Sequence, residues 1–172
     1  MLGHVIETER LLLRPLRVSD VDVFVELHAD PQVNRFVGSF SRQQALERLT
    51  AIERQWAERG HGLCAIELKS SGKFIGRSGL QYWEQFDEVE LGWTLRADQW
   101  GHGYATEAAQ ACLDWGFSTL DDDYFTALMR PGNDASVRVA VRLGFAPRRE
   151  DHLQGRPVTV YAVDRPADLP AR

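Results

Sequence analysis

The sequence predicts an α+β domain, a mixed central β-sheet flanked by helices, and three observations carry that prediction. Short apolar or alternating runs interleave with helically spaced runs in the order βααβββαβαββ. A glycine-rich turn, Trp100-Gly101-His102-Gly103, joins an alternating run (Val89, Leu91, Trp93, Leu95) to a helical one (Ala105, Ala108, Ala109, Cys112, Leu113, Phe117). A second helix, opened by Asn133 or Asp134 and closed by Gly144, leads into another strand at Phe145. These connections predict a sheet that is antiparallel at first and parallel near its centre.

Each element has a local cause. Arg10–Arg17 reads as the first strand. Ser19-Asp20 offers an N-cap to a helix carrying Val23, Phe24 and Leu27, which Pro31 is expected to stop. Ser41 caps the next helix, whose Ala45, Leu46, Leu49, Ile52 and Trp56 share helical spacing and which ends at Gly60 and Gly62. Leu63–Lys69 and Lys73–Trp83 form a hairpin turned at Ser70-Ser71-Gly72. Val89–Leu95 is a strand, the glycine-turn helix runs to about Leu120, and Tyr124–Met129 is a strand. The helix 133–143 and strands at Phe145–Arg149 and Val158–Val163 complete one domain over residues 1–165, with a flexible tail at 166–172.

Composition bounds the function. A chain of 172 residues fits one domain with a real core. The net charge of −5 and the lack of a basic run argue against a nucleic-acid partner. No apolar run approaches the roughly 20 residues of a membrane span, and no leader is visible, so the expected setting is the cytoplasm. Cys64 and Cys112 fall in apolar patterns and read as core thiols of a reducing compartment. The histidines do not cluster, and no metal site is expected.

The glycine turn is where chemistry enters. A helix N-terminus leaves backbone N–H groups without intrahelical partners, and the helix dipole adds positive potential there, so the turn suits a pyrophosphate. No Lys follows the glycines, which excludes a Walker A loop. Asp121, Asp122 and Asp123 lie near the distance of a dinucleotide-binding acid, but the turn lacks Gly-x-Gly-x-x-Gly and sits past the middle of the chain.

Together the turn and the second helix resemble the acyl-CoA-binding core of the GNAT superfamily of N-acyltransferases. Its phosphate loop, Gln/Arg-x-x-Gly-x-Gly/Ala, is similar to Trp100–Ala105, with Gly103 and Ala105 in place and Trp100 at the Gln/Arg position. Trp100-Gly101-His102-Gly103-Tyr104-Ala105-Thr106-Glu107 resembles the RimJ/RimL-like branch, which acetylates ribosomal-protein N-termini. Glu9–Leu16 with Asp20, Asp30-Pro31, Ile75-Gly76 and Glu90-Leu91-Gly92-Trp93 resemble the same branch, as does the Asn133-x-x-Ser136-x-x-Val139 helix ending in Leu143-Gly144-Phe145. The resemblance spans about Ile6 to Asp164. It implies a V-shaped acyl-CoA cleft between splayed strands, acetyl-CoA as cosubstrate, an amine acceptor (a protein N-terminus or a small amine) and a homodimer.

The resemblance also implies roles. The amides and side chains of Trp100, Gly101, His102, Gly103, Tyr104, Ala105 and Thr106 would meet the diphosphate. Trp93, Thr94 and Leu95 would pair with the pantetheine arm, with an N–H near Leu95 facing the thioester oxygen. Asn133 and Ser136 would bind the same arm, and Arg138 and Arg142 the CoA phosphates. Candidate bases are Glu90 and, on the same strand face, Glu88. An α-amine needs roughly 1 kcal/mol to lose its proton at pH 7, a lysine roughly 4.6 kcal/mol, so a weak base suffices for the former. The family's usual Tyr acid would sit at Ala140; Ser136 is the remaining candidate to protonate the leaving thiolate. Arg35, in a loop expected at Asn34–Phe40, is placed to orient an acceptor carboxylate or carbonyl. The missing Tyr leaves a second reading, an acyl-CoA sensor without turnover.

Overall fold

The computed structural model describes residues 5–172. In chain order they form β1 (Ile6–Glu7), β2 (Leu11–Pro15), α1 (Val21–Ala29), α2 (Pro31–Val37), α3 (Arg42–Arg59), β3 (Leu63–Leu68), β4 (Phe74–Trp83), β5 (Glu88–Leu95), α4 (Tyr104–Thr119), β6 (Tyr124–Met129), α5 (Asp134–Arg142), β7 (Ala146–Leu153) and β8 (Arg156–Asp164). The strands make one eight-stranded sheet in the order β1-β2-β3-β4-β5-β6-β8-β7. Every neighbouring pair is antiparallel except β5–β6.

Strand alternation divides the core between the two faces. Cys64 and Ile66 of β3 pack with Leu80, Leu91 and Phe125 under α4, through Ala108, Ala109, Cys112, Leu113 and Phe117. Leu63 and Ala65, one residue out of phase, pack under α1 and α3 with Phe24, Ala45, Leu49 and Ile52. On β4 and β5 this second face carries Arg77, Gln81 and Trp83 opposite Thr94, Glu90 and Glu88. A polar floor therefore lies beneath the first three helices, beside an apolar one.

Two helix starts differ from the sequence reading, and β1, paired antiparallel with β2, is a strand that it did not assign. Pro31 ends α1 but also opens α2: Asp30 Oδ1 accepts from the Gln32 amide (2.9 Å), and proline suits the first helical position because its absent N–H is not missed there. The segment expected as a loop at Asn34–Phe40 is thus helical through Val37. Asp20 stands at the head of α1 without capping it by its side chain. Its carboxylate instead accepts from the Arg14 guanidinium (2.8 and 2.9 Å) and the Arg17 amide (3.0 Å). After β8, Arg165 donates to Leu169 O (3.0 Å), and Arg172 to Asp121 Oδ1 (3.0 Å) and Ser118 O (2.8 Å). Other boundaries follow local chemistry, as where Ser41 and Gln44 form a reciprocal capping box on α3 and Gly60 closes it at φ +74°.

Gly116 sets how closely α4 approaches the sheet. A Cβ there would lie 2.6 Å from Leu80 Cδ1 and 2.9 Å from the Phe125 ring. Gly116→Ala should therefore lower stability by about 1–2 kcal/mol in urea unfolding, overpacking outweighing the helix-propensity gain. Equal or greater stability would show that the core yields there.

Candidate active site

The parallel pair at the sheet centre barely forms. Its register is a single rung, Glu90 opposite Thr126. Beyond it the Leu128 amide, which a continued ladder would give to the β5 backbone, donates to Glu90 Oε2 (3.1 Å). β5 and β6 separate from that point. The Arg96 amide donates to Ile75 O (2.8 Å), so alternate β5 residues, Thr94 and Gly92 among them, turn their backbone groups toward β4. Trp93 and Leu95 then turn theirs toward the gap. The Leu95 carbonyl already accepts from the Trp100 indole (3.1 Å), which leaves its amide facing the opening.

The gap leads to the N-terminus of α4. Gly101 (φ +83°) and Gly103 (φ +79°) take left-handed conformations that bring the chain from β5 into the helix. Backbone shape, not space, requires glycine here, because a Cβ on Gly101 would meet nothing within 4 Å and one on Gly103 only Arg10 Nη2 at 3.6 Å. The first helical bond is Glu107 N–H to Gly103 O (3.0 Å). Among the described residues, no oxygen of the chain accepts from the amides of Gly101 through Thr106. Six consecutive amides at a 16-residue helix's positive end are thereby available to an anion.

Glu107 fixes this turn to the opposite edge of the sheet. Its carboxylate accepts from Thr8 Oγ1 (2.6 Å), the Arg10 amide (3.1 Å) and Arg10 Nε and Nη2 (2.7 Å each). Burial opposes its charge, yet these donors outweigh burial and hold the carboxyl below its ordinary range. Arg10 also lies over the Tyr104 ring, 4.4 Å from its centre. Neither contact is legible from local spacing, because 97 residues separate the partners.

A cleft of about 200 Å³ opens at the splay, lined by Glu90, Gly92, Trp93 and Thr94 of β5, by Asn133 and Ser136 at the head of α5, and by Phe36 and Phe40. Glu90 is half-buried, and its Oε1 accepts from the Trp83 indole (2.8 Å). Burial raises its pKa, while the Trp83 and Leu128 donors and the charges of Arg77 and Arg48 pull the other way. Asn133 Oδ1 accepts from the Ser136 amide (3.4 Å), capping α5 and leaving its amide nitrogen to donate. His102 is exposed at the loop, and Arg138 and Arg142 are exposed on α5.

Two sequence candidates fall elsewhere. Glu88 is buried, accepts two bonds from the Arg149 guanidinium (2.7 and 2.9 Å) and one from the Tyr124 hydroxyl (2.7 Å), and does not line the cleft. Arg35 is exposed and stacks over Phe36, 4.9 Å from its centre. The cleft is lined instead by three guanidinium groups that the sequence reading passed over, Arg48 of α3, Arg77 of β4 and Arg130 just after β6. One signal was available: Arg48 lies three residues after Ala45 and four before Ile52, a charge on an apolar helix face.

The model of the acetyltransferase (GNAT) domain matches residues 10–146. YkkB of Bacillus subtilis is 35% identical over 160 residues, covering 90% of this chain and 92% of YkkB. The crystal structure of an acetyltransferase from Agrobacterium tumefaciens superposes with a TM-score of 0.84 at 32% identity, covering 93% of this chain and 94% of that one. A RimL ribosomal alpha-N-protein acetyltransferase in complex with coenzyme A shares the fold, with a TM-score of 0.78 at 19% identity and coverage of 94% and 98%.

The Arg149 donors, against opposing burial, hold the Glu88 carboxyl below its ordinary range. A pKa depressed in the folded state gives stability above the unfolded value, about 4.3, that is lost as pH falls through the folded value. Arg149 is one-third exposed, so Glu88→Gln should cost a screened amount, about 1–2 kcal/mol at pH 7. The loss should shrink below pH 4 in denaturant titrations. A penalty independent of pH would assign it to packing alone.

Proposed function

From the premise that this chain belongs to the GNAT acetyltransferase family and uses acetyl-CoA as its acetyl donor, we propose that it acetylates a primary α-amine by direct attack of that amine on the thioester. The run of partnerless amides from Gly101 to Thr106, at the mouth of a gap with a free strand edge, carries this reading. The residues present fit the donor. The amides and helix dipole take the diphosphate, and the β5 edge at Trp93 and Leu95 offers hydrogen bonds to the pantetheine arm. Asn133 Nδ2 and Ser136 flank the arm from α5, and the exposed Arg138 and Arg142 stand by for further phosphate. The RimJ/RimL-like motifs favour an N-terminal or small-molecule amine over a lysine side chain.

Each chemical task then has a group in place. The Leu95 amide, held by the strand and short of an acceptor, faces the charge that builds on the thioester oxygen; a fixed donor of this kind contributes about 3–4 kcal/mol. Glu90 takes the proton of the amine, directly or through one water. Its two hydrogen bonds use one lone pair on each oxygen and leave others open, and its raised pKa brings its basicity closer to that of the amine. Ser136, which lines the cleft four residues before the family's acid position at Ala140, supplies a proton to the departing thiolate. Since a thiol pKa is about 8.5, this last step is a modest aid.

Two measurements test the reading. Calorimetry should detect acetyl-CoA binding, weakened about tenfold by Gly103→Ala, because a non-glycine residue costs roughly 1–2 kcal/mol in the left-handed region. No binding at millimolar donor would end the proposal. For the base, Glu90→Gln should lower kcat about 10²–10⁴-fold while donor affinity holds. Wild-type activity should decline as acid protonates Glu90, and that acidic limb should vanish in the variant. An unchanged kcat would remove Glu90 from the role.

A further inference from the structure

Arg130 spends its Nη1 on the carbonyls of Leu153, Arg156 and Pro157, whereas Arg48 and Arg77, the other two cations of the cleft, have neither a carboxylate nor a backbone carbonyl as partner. Among the described residues, no acidic group lies within ion-pair distance of either, although Arg14, Arg96 and Arg149 all have one. Arg48 Nη2 donates to Gln81 Oε1 (2.6 Å), and Arg77 Nε and Nη2 both point at His28 Nε2 (3.3 and 3.2 Å). Both partners are neutral. His28 is wholly buried, and its Nδ1 lies 2.9 Å from Phe24 O, a contact only a protonated Nδ1 can make. That tautomer leaves Nε2 as an acceptor, so Arg77 is held by a neutral ring and keeps its charge uncompensated. Burial and the nearby Arg77 charge push His28 down to about 3. Burial, with repulsion from Arg48, lowers Arg77 to about 10, which still leaves it charged at neutral pH.

The local charge balance is therefore three guanidinium groups, Arg48, Arg77 and Arg130, against the single carboxylate of Glu90. A half-buried cation without a counter-ion is costly, and a ligand anion removes that cost. A guanidinium presents five N–H donors; Arg48 uses one here and Arg77 two, on a single acceptor. The remaining forks match a carboxylate bidentately. Both arginines lie on the face that carries Glu90: Gln81, which holds Arg48, is directly opposite Glu90 across the β4–β5 pair, and Arg77 is two positions along, opposite Thr94. The cavity volume, about 200 Å³, lies below the roughly 300–1,000 Å³ of sites for drug-sized ligands.

We propose that Arg48 and Arg77 form a carboxylate-recognition subsite, and that the acceptor is a small molecule carrying both a primary amine and a carboxylate, of the amino-acid class. The inference rests on the acetyltransferase reading above and names its substrate. The arginines take the carboxylate, the apolar wall of Phe36 and Phe40 takes the side chain, and the amine is left toward Glu90. Arg35, outside the cleft, has no part in it.

The test is release of free thiol from acetyl-CoA by the full-length enzyme with matched acceptor pairs: L-amino acids against their amides, and peptides with Asp or Glu at the second position against Asn or Gln counterparts. Amino-acid amides are the less basic amines, so any preference for the acid runs against intrinsic reactivity. Acids should exceed amides at least tenfold in kcat/KM, with the difference in KM. Arg48→Gln should bring the acid-to-amide ratio near one, and Arg48→Lys should restore part of it. A preference confined to the acidic peptides would overturn the small-molecule assignment, as equal use of acid and amide would overturn the subsite. A second readout is quenching of intrinsic tryptophan fluorescence, to which Trp83 and Trp93 of the cleft contribute, by N-acetyl-amino acids against their amides, both being product analogues. Acetyl-CoA binding with no discrimination in either experiment defeats this inference and leaves the acetyltransferase reading standing. Absence of acetyl-CoA binding defeats both.

Discussion

One hydrogen bond organises this molecule: the Leu128 amide to the carboxylate of Glu90. Where two parallel strands would zip together, a side chain takes the rung. Everything distinctive about the centre of the sheet depends on that substitution. The pair β5–β6 stops after Glu90 and Thr126, the β5 edge from Trp93 to Leu95 stays unpaired, and a cleft opens inside what would otherwise be a continuous sheet. The glutamate that separates the strands is also the titratable group facing the cleft, so one residue links the shape of the site to its chemistry. Trp83, donating to its other oxygen, fixes the carboxylate in the orientation that the splay needs.

Around this wedge the two halves of the cleft are built from different materials. The side proposed for the donor is backbone: free amides at a helix end, a strand edge and two left-handed glycines. Most substitutions leave a backbone N–H in place, proline being the exception, and a donor common to a whole family suits such groups. The side proposed for the acceptor is made of side chains from α2, α3 and β4, namely aromatic rings and guanidinium groups, which vary readily within one fold. Such a division lets the donor half persist across a family while the side chains that meet the acceptor vary.

Legibility in the sequence followed the range of the interactions concerned. Strand β6 was readable to the residue because a short β-rich run is bounded by aspartates and by Pro-Gly. The α3 and α5 caps were readable because a cap is a local bond between residues three apart. Pro31 was read as a stop alone, since its second role as the opening residue of α2 depends on the Asp30 side chain before it. Glu88 shared a strand face with Glu90 and looked equivalent to it, but its partner Arg149 is 61 residues away and periodicity cannot see that far. The Arg48–Gln81 and Arg77–His28 contacts escaped for the same reason: each joins two elements through side chains whose meeting depends on the folded sheet.

The two cysteines extend the account to practice. Cys64 and Cys112 are buried on the α4 face of the sheet, and burial raises both thiols, Cys112 to about 12. Thiolate is the form that reacts, so the native protein presents almost none to a chromogenic disulfide reagent at mildly alkaline pH. Turnover can then be followed continuously in the presence of that dye, with little background from the catalyst and no inactivation by it. A slow rise of colour without substrate would report unfolding rather than catalysis.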